Sequence, residues 1–268
     1  MAYHPGVNMP TGQEPDQVDV EAFYVRTEEL IPCAEPKTDA ASIPSLLESE
    51  SWISVCHALL LARRLAAHHP EELSRTLEQI LPSLNLHMNS LRSSLCKTAL
   101  ICTADFFRSY GDSLLAIAPG GLPVLVNTLL SKAALEKKFV IEEAKRTLAA
   151  MTTSISTNIL IDVLLPQARS PNSKIRAVVA SCMADTVGKA ISETRPGTES
   201  CIHITRAELL RTAAALVTDK EPAARKSARV VLCKLKESHV SSASLESWQT
   251  FIVTVLGKGL VLQIGRAL

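Results

Sequence analysis

The 268-residue chain is 47% hydrophobic but only 4% aromatic, and it contains 10 glycines. Its interior must therefore be filled by Leu, Ala, Val and Ile, which suits packed helices and argues against a strand-rich sandwich or barrel. The formal net charge of +1 hides a division: residues 1–50 carry ten acidic side chains against Arg26 and Lys37, and the excess of bases lies beyond them. That asymmetry would steer the body toward an acidic partner, and the modest charge with few stacking aromatics sets nucleic acid aside.

Residues 1–40 are rich in Pro, Gly and acids with little periodicity, and are expected to form a mostly disordered acidic leader, with 20–31 as a short helix docking on the body. From 41 to 268, apolar residues recur at helical spacing. Val55, Leu59, Ala62 and Ala66 form one stripe; Leu91, Leu95, Thr98, Cys102 and Phe106 a second. Ile175, Val178, Cys182, Met183 and Val187 form a third, and Ala228, Val231, Leu232 and Leu235 a fourth. Breakers separate them at His69-Pro70, Gly111, Pro119-Gly120-Gly121, Ser170-Pro171, Arg195-Pro196-Gly197 and Glu221-Pro222. Pro70 ahead of Glu71 and Glu72 suits a helix start.

The pattern predicts an all-α chain, an α-solenoid of about five stacked HEAT/armadillo-like helix pairs. The expected pairs are 43–68 with 71–88, 91–110 with 119–131, 136–152 with 156–168, 173–191 with 203–217, and 222–236 with 244–266. Pro82 and Pro123 predict kinks or early starts. The apolar stretch 251–268 is interrupted by Gly257, Lys258, Gly259, Gln263, Gly265 and Arg266, so it is expected to be a final packed helix and not a membrane span.

The seven cysteines are irregularly spaced with no C-x-x-C. Cys56, Cys96, Cys182 and Cys233 fall in helical apolar stretches, where a free thiol acts as a small buried hydrophobe; this predicts a reducing compartment, cytosol or nucleus. Phosphate-binding, nucleophile-elbow and zinc-helix motifs are missing, and the adjacent His68 and His69 lack a carboxylate partner pattern. Neither catalysis, a metal, a cofactor nor a small-molecule substrate is expected.

The starts of alternate helices share a pattern. Trp52 precedes the first long helix, Asn89-Ser90-Leu91-Arg92 opens another, then Glu136-Lys137-Lys138-Phe139-Val140, then 170–176 with Asn172, Lys174, Ile175 and Arg176, then 219–225 with Asp219, Lys220 and Arg225, leading to Ala228-Arg229. Over residues 42–240 this series resembles the TOG domains of the CLASP and crescerin type, HEAT-like arrays that bind tubulin through the narrow edge formed by the turns within repeats. The resemblance implies tubulin or microtubules as the partner, cytoplasmic and cytoskeleton-associated. By position it implicates Trp52, Asn89, Arg92, Lys137, Lys138, Asn172, Lys174, Arg176, Lys220 and Arg225. Where the family pattern has a base soon after the first-turn Trp, this chain has Ile53, Ser54 and Val55, which weakens the first contact. Residue types alone also fit a generic HEAT/armadillo adaptor that binds a peptide or regulatory protein on its concave face. On that reading Trp52 plugs the core and Arg176 and Arg225 brace repeats against acids such as Asp185 or Asp219.

Overall fold

The computed structural model describes residues 20–193 and 206–265, and in them every regular element is helical. The helices are α1 Pro36–Leu47, α2 Trp52–His68, α3 Pro70–Ser74, α4 Leu77–Met88, α5 Ser93–Tyr110, α6 Ser113–Ile117 and α7 Gly121–Leu135. They continue as α8 Lys138–Ser154, α9 Thr157–Gln167, α10 Ser173–Glu193, α11 Arg206–Leu216, α12 Pro222–Ser242, α13 Leu245–Leu256 and α14 Lys258–Ile264. Residues 1–19 of the expected leader, the breaker at 195–197, Cys201 and residues 266–268 lie outside the described residues.

Local chemistry sets the boundaries. Pro36, Pro70 and Pro222 occupy first helical positions, where no N–H is needed. The Ser51 hydroxyl accepts from the Ser54 amide at 3.4 Å and Ser244 from Ser247 at 3.1 Å, capping α2 and α13. Gly111 ends α5 with φ of 49°, the left-handed conformation that glycine adopts without strain. Pro123 lies in the first turn of α7, at a helix start, whereas Pro82 lies inside α4 and the break on that stretch falls earlier, at Arg75 and Thr76.

Turns of two to five residues join α1 to α2, α4 to α5, α7 to α8, α9 to α10 and α11 to α12, and each of these pairs packs closely. Helices so connected run antiparallel. The pairing is therefore one helix out of phase with the expected one. What looked like a single helix at 43–68 is two, folded back at residues 48–51. Connection length alone does not set the phase, since α8 and α9 are joined by only two residues yet are not a closely packed pair. Helices α2, α5, α8, α10 and α12 contact one another in succession and form the second layer; α1, α4, α7 and α9 adjoin in the first, and α13 with α14 closes the array after α11.

Leu, Ala, Val and Ile fill the space between layers, with Phe106, Phe107 and Trp248 as the bulky exceptions. The four sequence stripes enter this core, apart from three residues. Leu91 stands fully exposed in the α4–α5 turn, and Ile175 and Val178 are half-buried. Cys56, Cys96 and Cys182 are buried, with burial lifting the Cys182 thiol to about 12. Cys233, expected inside, is exposed, because α12 turns that side of its apolar stripe to solvent.

Residues 20–35 of the expected leader form a strap of two 3-10 turns, Val20–Phe23 and Thr27–Glu29, laid across α2 and α5, and α1 begins before the expected boundary at 40. Phe23, Leu30 and Cys33 are buried beneath it. Fully buried Arg63 of α2 donates to Asp105 of α5 at 2.6 Å and to the carbonyls of Phe23 and Val25. Arg64 donates to the Ile31 and Pro32 carbonyls, and the Thr27 hydroxyl donates to Asp105 at 2.7 Å. No helix of the described residues is long and apolar enough to cross a membrane.

Candidate partner-binding edge

The second-layer helices run parallel, so their N-terminal ends, and the five short turns feeding them, gather along one edge of the array. At helix spacings of about 8–10 Å this edge is a ladder with one rung per pair. All ten residues singled out in the sequence lie on its rungs. They divide by what their side chains already do.

Four of them hold the rungs together. The Asn172 carboxamide oxygen accepts from the Lys174 amide at 3.0 Å and caps α10, and the Asn89 side chain donates to the Asn85 carbonyl and closes α4. The Arg176 guanidinium grips both carboxylate oxygens of Asp219, at 2.6 and 3.1 Å, and donates to the carbonyls of Ser170 and Pro171. Arg225 repeats the second half of that pattern one pair on, donating to the carbonyls of Asp219 and Lys220. The Arg176 guanidinium holds the Asp219 carboxyl below the usual carboxylate range.

The other six present outward. Trp52, the first residue of α2, is half-buried: one part of its ring packs on the core, and the Arg92 guanidinium lies 4.5 Å from the ring centroid. This contact joins the first two rungs. Arg92, Lys137, Lys138, Lys174 and Lys220 are exposed, and the four lysine ammonium groups make no side-chain bond among the described residues. Two acids of the later turns are occupied in place, Glu136 by Lys132 at 2.8 Å and Asp219 by Arg176, while Glu221 of the fifth turn makes no ion pair among the described residues. Cations are thereby left open from the second rung to the fifth. The first rung keeps Glu48 and Glu50 exposed beside Trp52, so the edge runs from acidic and aromatic to basic.

Two large apolar side chains on this edge have roles that periodicity obscured. Leu91, assigned to a core stripe, sits in the second turn with its whole surface open, and Phe139 in the first turn of α8 is 42% exposed. Neither stacks nor packs into the core, and each lies beside the cations of its own rung. Among the described residues no group of three or more His, Cys, Asp or Glu is placed to hold a metal ion.

No family model matches the chain. Over 128 residues it is 28% identical to TOG array regulator of axonemal microtubules protein 1 of Homo sapiens, a match covering 48% of this chain and 7% of that protein. Its fold matches the TOG domain of Zyg9 from C. elegans with a TM-score of 0.59 and 17% identity, over 90% of this chain and 91% of that one. The chain has the fold of a TOG domain. A structure from the TOG domain array of crescerin agrees, with a TM-score of 0.57 and 11% identity over 91% of this chain and 90% of that one. The human relative is many times longer than the stretch it shares, so the likeness concerns one TOG-type array and not the whole of that protein.

Proposed function

We propose that this chain is a non-enzymatic TOG-type module that binds tubulin or microtubules through its turn edge, as a cytoplasmic, cytoskeleton-associated protein. The observation that carries the reading is the row of open cations on successive rungs beside a presented Trp52. Rigid helices fix the spacing of those charges before any partner arrives, so little side-chain or backbone order is lost on binding, and the row offers an acidic protein surface several simultaneous contacts. The names of the matched relatives, which concern microtubules and TOG arrays, point the same way.

In this proposal Trp52, Arg92, Lys137, Lys138, Lys174 and Lys220 touch the partner, with Leu91 and Phe139 adding apolar contact. Asn89, Asn172, Arg176 and Arg225 act beneath them by fixing the turns. Glu48 and Glu50 beside Trp52 weigh against the first rung, so the centre of binding is expected at the third to fifth turns. Co-pelleting with microtubules and titration with free tubulin test this. The Lys137→Glu/Lys138→Glu variant is expected to weaken binding by about tenfold or more, and Glu48→Lys/Glu50→Lys to strengthen it. Binding indifferent to both would defeat the proposal.

A further inference from the structure

The second-layer helices repeat one another in register, and where they differ a hollow opens on the helical face that meets the turn edge only at its rim. Helices α5 and α10 each carry Cys-x-Ala-Asp at the same distance from their first residues: Cys102 to Asp105, and Cys182 to Asp185. In α5 the aspartate is buried and saturated. It accepts from Arg63 of the preceding second-layer helix at 2.6 Å, from Arg108 one turn on at 2.7 Å, and from Thr27 of the strap at 2.7 Å.

At α10 both arginines are replaced by small residues. The position of α8 that corresponds to Arg63 of α2 is Ala149, and the position of α10 that corresponds to Arg108 of α5 is Gly188. Where the α2–α5 seam is filled by the Arg63 guanidinium, the α8–α10 seam is open at Ala149, while the Lys234 side chain of α12 lies over Gly188. It is a hollow of about 560 Å3 whose lining includes Leu148, Ala149, Ala177, Val178, Cys182 and Asp185. A second hollow, also about 560 Å3, shares Ala149 and Asp185 and extends past Gly188.

Asp185 is exposed to these hollows and makes no hydrogen bond or ion pair among the described residues. Lys234 attracts the Asp185 carboxylate without forming an ion pair, and the other surrounding cations are committed or stand back. Lys234 of α12 donates to the Ala184 carbonyl at 3.0 Å and Lys189 to the carbonyls of Thr153 and Ile155, while Lys145 and Lys174 stand at the rim. Glu237 and Glu221 add negative charge at the two ends. The strap shows what this face accepts elsewhere: an extended peptide segment, seated with aromatic side chains against the helices.

We infer that the α8–α10 seam is a docking site for an extended segment of a partner polypeptide, whose arginine side chain enters the hollow beside Ala149 and pairs with Asp185. The incoming guanidinium takes the place that Arg63 fills in the equivalent seam, and a neighbouring apolar side chain of the peptide rests on Leu148 and Val178. The site lies on the helical face and does not depend on tubulin binding at the turn edge.

The test uses the peptide acetyl-Phe-Arg-amide, with acetyl-Phe-Gln-amide as its neutral counterpart, titrated into the isotopically labelled chain by NMR. Saturable shifts at Ala149, Val178 and Asp185 are expected with the arginine peptide, about tenfold weaker in Asp185→Asn and in the glutamine peptide. Ala149→Arg, which supplies the guanidinium from within the chain, is expected to abolish peptide binding and to raise Tm, with the gain in Tm lost when Asp185→Asn is added. The inference is overturned if the shifts are absent or fall elsewhere, if the glutamine peptide binds equally well, or if Asp185→Asn leaves binding unchanged. Asp185 is exposed and Asn is close to isosteric, so that variant keeps the test valid even where Ala149→Arg fails to fold.

Discussion

Arg63 is fully buried and Asp105 is 1% exposed; Asp105 is the carboxylate that Arg63 pairs with, and Asp105 also pairs with Arg108. Removing Asp105 strands the Arg63 guanidinium inside the protein and removing Arg63 leaves Asp105 to Arg108 alone, whereas replacing both by apolar residues of similar volume relieves most of that cost. Arg63→Met or Asp105→Leu alone is expected to cost about 3–5 kcal/mol in urea unfolding, and the double variant clearly less than the sum. The single variants should also loosen residues 20–35, seen as faster amide exchange there, because Arg63 and Asp105 hold the strap as well as each other.

A second prediction at this scale concerns acid. Arg176 lowers the Asp219 carboxyl in the folded chain, so the folded value lies below the unfolded value of about 4. The resulting stabilisation is fully present above the unfolded value and is lost as pH falls through the folded one. Thermal unfolding followed from pH 7 to pH 2 should show that loss in the wild-type chain, and a shallower one in Asp219→Asn, which has no carboxyl to protonate. A part of the proposed edge was readable from residues alone. Trp52, Lys137, Lys138, Lys174 and Lys220 were legible because they stand at helix starts, where side chains point out. The division of labour was not, since whether an arginine is open or spent depends on carbonyls five and six residues back, as with Arg176 and Arg225.

Among the elements, the ends of α5 and α8 constrain each other. A Cβ added at Gly111 would lie 2.9 Å from the Ser154 carbonyl oxygen, and the φ of 49° there is strained for any L side chain. Gly111→Ala is therefore expected to destabilise the chain by about 1–3 kcal/mol in chemical denaturation, with the α5–α6 corner exchanging first. Gly120→Ala, which would meet nothing within 4 Å, serves as the neutral control. Helix type was legible throughout because apolar spacing reports it directly. The phase of pairing was not, because periodicity says which face of a helix is buried and not which neighbour buries it. The turn at 48–51, with no Pro or Gly, left α1 and α2 looking like one helix. The register match of Asp105 with Asp185 becomes visible only once helix starts are fixed.

For the molecule as a whole, the stacking of pairs converts five local turns into one surface. Exposed cations, one part of the basic excess in the composition, line that surface from its second rung onward, with Glu136 and Asp219 neutralised by partners on their own side. Long-range attraction of this kind weakens with ionic strength, since screening acts over about 8–10 Å at 0.1–0.15 M salt. The strap and the Asp185 end of the second-layer hollow lie away from the edge, which the hollow reaches only at Lys174 and Glu221, so substitutions at the strap or at Asp185 should leave edge binding intact.

The most direct measurement is size-exclusion chromatography of the purified chain with tubulin dimer at low salt. A complex is predicted that dissociates as salt rises and is lost in Lys174→Glu/Lys220→Glu, while Asp185→Asn elutes as the wild type does. No complex at low salt, or one that survives the edge reversals, would contradict the account.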